Sequence, residues 1–221
     1  MTFAVLARCP STGAFGIAIS SSTVCVASRC AWVRAGVGAV ASQNIADPRL
    51  GVLGLDLMEQ GLGARAACDA LVKAREFADY RQLALVDQDG LSAHFTGARG
   101  LGIHAASEGD ACVAVGNLLK SEDVVTAMVN GYEGTPGDSP LAERLMTALE
   151  AGLAAGAEAD APLRAAGLLV ADRYTWPTVD LRVDWHEKPI EELRMIWNLY
   201  RPEAENFVLR AVNPPTARNE E

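Results

Sequence analysis

From residue 3 the chain is apolar at consecutive positions, Phe3-Ala4-Val5-Leu6-Ala7, and a run of this kind before Arg8 predicts a strand covered on both faces. The turn signal Pro10-Ser11-Thr12-Gly13 follows. Ala14 to Ser20 then alternates Phe15, Ile17 and Ile19 against Gly16, Ala18 and Ser20, which gives a second strand one bulky face and one nearly bare face. Thr23 to Arg29 and Gly36 to Gln43 read as a further pair; in the latter, Gly38, Val40 and Ser42 alternate with Val37, Ala39 and Ala41, and the small residues admit a close second layer. A helix start follows: Asp47 as N-cap, Pro48 at the first helical position, and an apolar run from Leu50 to Met58 that stops at Gly61. A second helix is predicted over Ala64 to Arg75. Residues 82 to 87 and 91 to 96 alternate around Asp87-Gln88-Asp89-Gly90 and predict a hairpin.

Another strand is predicted over Ala111 to Val115, then a helix over Ser121 to Tyr132 and a longer one after Ser139-Pro140. In the longer helix Leu141, Leu145, Ala148, Leu149, Gly152 and Gly156 share one stripe, the mark of packing on a sheet. Leu163 to Ala171 and Thr178 to Val183 read as a closing strand pair, and Pro189 to Tyr200 as a last amphipathic helix. Strands in runs with helices in pairs favour an α+β fold of antiparallel sheets with helices on the outer faces over regular βαβ alternation. The simplest arrangement is a four-layer αββα sandwich of two stacked, mainly antiparallel sheets. It is expected to occupy residues 1–201 as one domain, leaving 202–221 as a C-terminal tail whose trio Phe207-Val208-Leu209 suits an intersubunit arm and hence a homo-oligomer.

Composition narrows the classes of partner. With 221 residues, half of them hydrophobic, the chain can bury a full core. Its net charge of −9 and its lack of a basic stripe argue against nucleic acid. The charge-free run CPSTGAFGIAISSSTVCVAS is long enough to cross a bilayer, but Pro10, Gly13, Gly16 and the Ser and Thr residues make it strands, so no membrane role is expected. There is no basic n-region with a long apolar core for secretion, and Cys9, Cys25, Cys30, Cys68 and Cys112 form an odd set without CxxC; both point to the cytoplasm. His94, His104 and His186 lack metal-ligand spacing, and neither GxxxxGK[ST] nor GxGxxG is present, so no metal and no cofactor is expected.

The stretches MTFAVLAR, AGVGAVASQ, RQLALVDQDG, FTG, VGNLL, LAERLMTALEAG and VDLRVDWH, spread in order over roughly residues 1 to 200, resemble the N-terminal nucleophile (Ntn) hydrolases, and more closely an uncharacterised bacterial branch, the domain-of-unknown-function 1028 family. The resemblance implies the Ntn αββα sandwich and a hydrolase whose nucleophile is the first residue of a strand. A methionine followed by a residue as small as threonine is normally trimmed, which would leave Thr2 with a free α-amine, and the expected activity is cleavage of a small amide substrate through an acyl-enzyme on Thr2. A non-catalytic small-molecule binding or assembly protein on the same fold is the alternative. An unperturbed α-amine titrates near pH 7.7 to 8.0, so one residue can supply both nucleophile and base.

Arg34 falls where Ntn hydrolases often carry a basic residue near the nucleophile, as a catalytic candidate in the second reading and a solvated surface arginine in the first. Ser21 and Ser22 end the second strand beside the expected place of Thr2, to orient the amine or to cap a turn. Gln43 in ASQN and Asn117 in VGN are candidate oxyanion donors or structural turn amides. Asp180 and Arg182 share a strand face with Asp184, as an ion-pair ladder in the first reading and as substrate contacts in the second. The family pattern carries Gly-Asp, Arg-Gly and Gln-Ser before the next apolar strand. This chain departs from it with Glu158 for the aspartate, Arg164 for the glutamine and Ala165 for the serine.

Overall fold

In chain order the elements are β1 (Thr2–Arg8), β2 (Phe15–Ser21), α1 (Val26–Cys30), β3 (Ala31–Arg34), β4 (Gly38–Asn44), α2 (Pro48–Glu59), α3 (Ala64–Ala74), β5 (Arg81–Asp87), β6 (Ser92–Thr96), β7 (Ile103–Gly109), β8 (Cys112–Leu119), α4 (Asp123–Gly134), α5 (Leu141–Ala154), β9 (Ala165–Ala171), β10 (Val179–Val183), α6 (Pro189–Tyr200) and α7 (Ala204–Val212). They come from a computed structural model that describes residues 1–157 and 161–218. The strands form a six-stranded sheet in the order β10-β9-β2-β1-β8-β7 and a four-stranded sheet in the order β3-β4-β5-β6. Every pairing in both is antiparallel.

Strand pleating sorts the apolar residues into three cores. On β1, Phe3, Val5 and Ala7 face α4 and α5 and join Met128, Leu145 and Leu149; Ala4 and Leu6 face the other sheet and join Ile17, Ile19, Ala39, Ala41 and Val115. Val40, Leu83 and Leu85 on the far face of the second sheet pack with Leu50, Leu55 and Leu71 of α2 and α3. The result is the α, β, β, α layering, with each large buried side chain contributing about 1.5–3 kcal/mol by leaving water. The bare face of β2 has a structural use: a Cβ on Gly16 would stand 2.5 Å from Leu145 Cδ1 and 2.9 Å from the Leu169 carbonyl, so α5 lies directly on the strand. Local signals act as their chemistry dictates. Asp47 accepts from the Arg49 N–H at 3.1 Å to cap α2, and Gly90 takes φ +80° in the hairpin turn.

Four segments differ from the sequence expectation. Thr23 to Arg29, whose Val-Cys-Val alternation reads as a strand, carries the short helix α1, entered through Cys25 at φ 54°. Tertiary packing decides this: a Cβ on Gly167 would meet Ala27 Cβ at 2.4 Å, so β9 holds the helix close. The strand β3 that follows was not foreseen. Neither was β7, an edge strand whose sequence IHAASEG is largely exposed and has no apolar alternation to read. The tail holds α7, where the Phe207 ring lies 5.3 Å from that of Tyr200 and Asn206 Oδ1 accepts from the Arg218 N–H at 2.7 Å. Among the described residues no helix is long and apolar enough to cross a membrane.

Candidate active site

β1 is bonded on both sides, and its first residue lies in register with Ser21 of β2 and Asn117 of β8. Thr2, Ser21 and Asn117 therefore project from one row of the six-stranded sheet towards the second sheet. There Gln43 of β4 lies in register with Gln82 of β5, and Gln82 with Thr96 of β6. Through the middle of the inter-sheet layer β1, β2, β8, β4 and β5 present Ala, Val, Leu, Ile and Phe. At this end the inner faces of both sheets turn polar together.

Thr2 is buried, and its Oγ1 lies 3.0 Å from Ser21 Oγ. Ser21 Oγ also lies 2.8 Å from the Met1 carbonyl, which can only accept. The single Ser21 proton therefore goes to that carbonyl, which leaves Ser21 Oγ an acceptor towards Thr2 Oγ1, the Thr23 N–H at 3.1 Å and Thr23 Oγ1 at 3.0 Å. Ser22 completes the cradle: its N–H reaches the Met1 carbonyl at 3.2 Å and its Oγ at 3.4 Å, while Ser22 Oγ accepts from the Met1 amino group at 3.0 Å. Burial pushes the pKa of that amino group below its ordinary value.

Behind Thr2 stands a network of side-chain amides, all buried. Gln82 Oε1 accepts from Gln43 Nε2 at 2.7 Å and from Asn117 Nδ2 at 3.1 Å; Gln82 Nε2 donates to Thr96 Oγ1 at 3.0 Å and to the Gly116 carbonyl at 2.9 Å. Gln43 Nε2 has a second, longer contact with the Val115 carbonyl at 3.4 Å, and Gln43 Oε1 has no hydrogen-bond partner among the described residues. Asn117 thus has one amide proton committed to the network. Sequence reasoning missed Gln82, although a signal was there: on β5 it shares the inward face with Ala84 and Val86, where a polar residue is out of pattern.

Met1 covers the site. It is 7% exposed and borders a cavity of about 420 Å³ whose other walls include Gly102, Ile103, Leu118, Leu119 and Lys120. Two wall residues have left-handed backbones, Leu118 at φ 54° and Gly102 at φ 59°. Such a conformation in a leucine costs about 1–2 kcal/mol, and here it is held by the Leu118 N–H donating to the Leu101 carbonyl at 3.0 Å. Leu101 is itself pinned by Asn44 Oδ1 at 3.2 Å. Lys120 is a basic residue at this cavity that the sequence did not single out.

Of the sequence candidates, Thr2, Ser21, Ser22, Gln43 and Asn117 are gathered at this end of the sandwich. Arg34, expected beside the nucleophile, is placed elsewhere: it pairs with Gly38 at the opposite end of β4 from Gln43, roughly 17 Å along the strand. Its guanidinium is taken by Glu59 at 2.7 Å and Asp56 at 2.9 Å on α2. Asp180 and Arg182 lie on the edge strand β10, three strands from β1, and bind each other in a two-point pair at 2.7 and 2.8 Å. That geometry follows the ion-pair reading and leaves them away from Thr2. Ala165 stands in register with Ser21, so the row continues without a hydroxyl, and Glu158 lies outside the described residues. A larger cleft of about 710 Å³ lies at the other end of the molecule, beside Asp87 and Asp110. Asp87 is engaged there in structure, accepting from the N–H groups of Ala64 at 2.7 Å and of Asp89 and Leu91 at 3.0 Å.

Comparison with known proteins gives a family and solved structures of similar fold. A model described as a family of unknown function (DUF1028) matches residues 2–193. A crystal structure of a Silicibacter pomeroyi protein of that same family superposes with a TM-score of 0.83 at 29% identity, covering 90% of this chain and 88% of the other. Two Anbu structures overlap more loosely. That of Yersinia bercovieri, described as an ancestral beta-subunit, gives a TM-score of 0.40 at 12% identity over 91% and 95% of the two chains. A mutant from Hyphomicrobium sp. strain MC1 gives 0.44 at 11% over 100% of each. Among curated proteins none matches.

Proposed function

The chain belongs to the DUF1028 family, whose model matches residues 2–193, and we propose that a form beginning at Thr2 is an Ntn-type amidohydrolase that cleaves a small amide through an acyl-enzyme on Thr2 Oγ1. The observation that carries the reading is the place of Thr2: a hydroxyl at the head of the central strand, hydrogen-bonded to Ser21, at an end of the inter-sheet layer where both sheets bring buried polar side chains.

Release of Met1 changes the proton inventory. The Thr2 α-amine becomes free and takes the hydroxyl proton as Oγ1 attacks the substrate carbonyl. Ser21 loses the acceptor that holds its proton and can donate to the reacting groups. The tetrahedral oxyanion needs fixed donors, and Ser21 Oγ, the Ser22 N–H and the uncommitted amide proton of Asn117 are the nearest to hand. The amine then gives its proton to the leaving nitrogen, and water hydrolyses the ester.

The test has two stages. Intact mass should show a chain lacking Met1, and an electrophilic β-lactone should add one equivalent to it. Thr2→Ala should abolish that label; equal labelling of the variant refutes the assignment. A non-catalytic binding role on the same fold draws support from Ala165, which brings no polar group to the Thr2 row where the family pattern has serine. It predicts a trimmed chain that never labels.

A further inference from the structure

Met1 is held at the site as a ligand would be. Its carbonyl takes Ser21 Oγ at 2.8 Å, the Ser22 N–H at 3.2 Å and Ser22 Oγ at 3.4 Å, and its amino group donates to Ser22 Oγ at 3.0 Å. Its side chain joins the apolar core on the outer face of the six-stranded sheet and abuts the cavity walled by Leu118, Leu119 and Lys120. An α-amino group, a carbonyl and an unbranched apolar side chain are thus each matched by a group of opposite need.

None of these partners belongs to Met1, so they persist when it is cleaved away. What is left is an empty seat: two serine hydroxyls and a backbone N–H without their acceptor, and an apolar slot continuous with about 420 Å³ of cavity. Buried donors that have lost an acceptor favour the return of a similar group. We infer that the form beginning at Thr2 binds α-amino acids and α-aminoacyl amides with unbranched apolar side chains of methionine size in the Met1 seat, and that this α-aminoacyl unit is the acyl half of the substrate. The second clause rests on the proposed role of Thr2.

The connectivity of the chain supports it. The carbonyl carbon of Met1 is bonded to the Thr2 nitrogen at about 1.33 Å, so a separate ligand must draw its carbonyl back to about 3–3.5 Å from the Thr2 amine and hydroxyl, which sets it beside Thr2 Oγ1 at contact rather than bonding distance. In the reaction the Thr2 Oγ1–carbon bond forms and the amide carbon–nitrogen bond breaks. The hydroxyl proton leaves with the amine through the Thr2 α-amine. Water then cleaves the ester to free the α-amino acid and restore Thr2. Lys120 at the cavity wall has no carboxylate partner among the described residues.

Calorimetric titration of the mass-verified Thr2-starting protein with L-methionine and L-norleucine tests the seat. Both should bind saturably, D-methionine and N-acetyl-L-methionine should each bind at least about fivefold more weakly, and Ser22→Ala should weaken L-methionine by about the same factor. Protein retaining Met1 should not bind, because its own first residue fills the seat. Absence of saturable binding up to about 10 mM of either amino acid, or equal binding by the Met1-retaining protein, overturns the inference. Lactone labelling of Thr2 separates the two readings. Label with no amino-acid binding sinks the seat and leaves the hydrolase; L-methionine binding by both the parent and Thr2→Ala, with no label on the parent, keeps the seat and sinks the hydrolase.

Discussion

Gln82 uses all four of its side-chain hydrogen-bonding positions inside the protein, two as acceptor from Gln43 and Asn117 and two as donor to Thr96 and the Gly116 carbonyl. It ties the amides of one sheet to the row that holds Thr2 on the other. Gln82→Leu would leave the Asn117 amide proton buried without its acceptor and reduce Gln43 Nε2 to one long contact, at about 1–3 kcal/mol for each stranded group. Urea denaturation should show a lower midpoint with an unchanged slope. Gln43→Leu should cost less, because Gln82 Oε1 keeps Asn117 and the partnerless Gln43 Oε1 is removed as well. Arg34→Ala should leave Thr2 labelling untouched and change stability by no more than about 1 kcal/mol, as expected for half-exposed pairs. The hydroxyl and amide members of this site were legible as types in a sequence: Thr2 heads the first strand, and Ser21, Gln43 and Asn117 stand near strand ends beside a serine or glycine. Arg34 was misplaced because a cation close in sequence to a strand says nothing about which end of that strand the site occupies. Lys120 was passed over because only the third dimension brings it to the Met1 cavity.

At the scale of elements, the helical layers are fastened by contacts whose loss is readable. Gly16→Val on β2 would drive a side chain into Leu145 of α5 and the Leu169 carbonyl, and overpacking of this kind costs about 1–3 kcal/mol. A fall in melting temperature for Gly16→Val exceeding that for Gly134→Val, whose Cβ meets nothing within 4 Å, would register it. Between α5 and α6, Arg194 binds Glu143 and Glu150, both at 2.7 Å, and the Trp197 indole donates to Glu143 at 2.7 Å. Burial pushes the Glu143 carboxyl up, but the Trp197 and Arg194 bonds outweigh it and hold the pKa below its ordinary 4.5. A depressed carboxyl stabilises the fold above that ordinary value and loses the contribution as pH falls through the lowered one. Thermal unfolding of Glu143→Gln should therefore decline less than that of the parent between pH 5 and pH 3. Helices such as α2 and α6 were legible because capping and period coincide; α1 and β7 were not, since one depends on a glycine more than a hundred residues away and the other on an exposed edge.

For the whole molecule, the order of strand runs and helix pairs was enough to predict the layers, because each apolar face must be buried by something and four layers satisfy all of them. Neither the pairing order β10-β9-β2-β1-β8-β7 nor the polar end of the inter-sheet layer could be read before the register was known. The tail meets α6 through the Phe207–Tyr200 contact, is folded on itself by the Asn206–Arg218 bonds, and takes no part in either sheet. A chain ended after Arg201 should accordingly unfold in one transition at a melting temperature lower by a few degrees, about 2–4 °C for each kcal/mol lost, with Thr2 labelling intact. The position of Thr2 on β1 carries a further consequence. Its side chain points between the sheets because it is an even step from Ala4 and Leu6, whereas Phe3 and Val5 point the other way. The strand's head therefore obeys a parity rule: deleting one residue ahead of Ala4 would aim the leading side chain into the helix layer, while deleting two would return it to the inter-sheet face but opposite Ile19 and Val115, inside the apolar core.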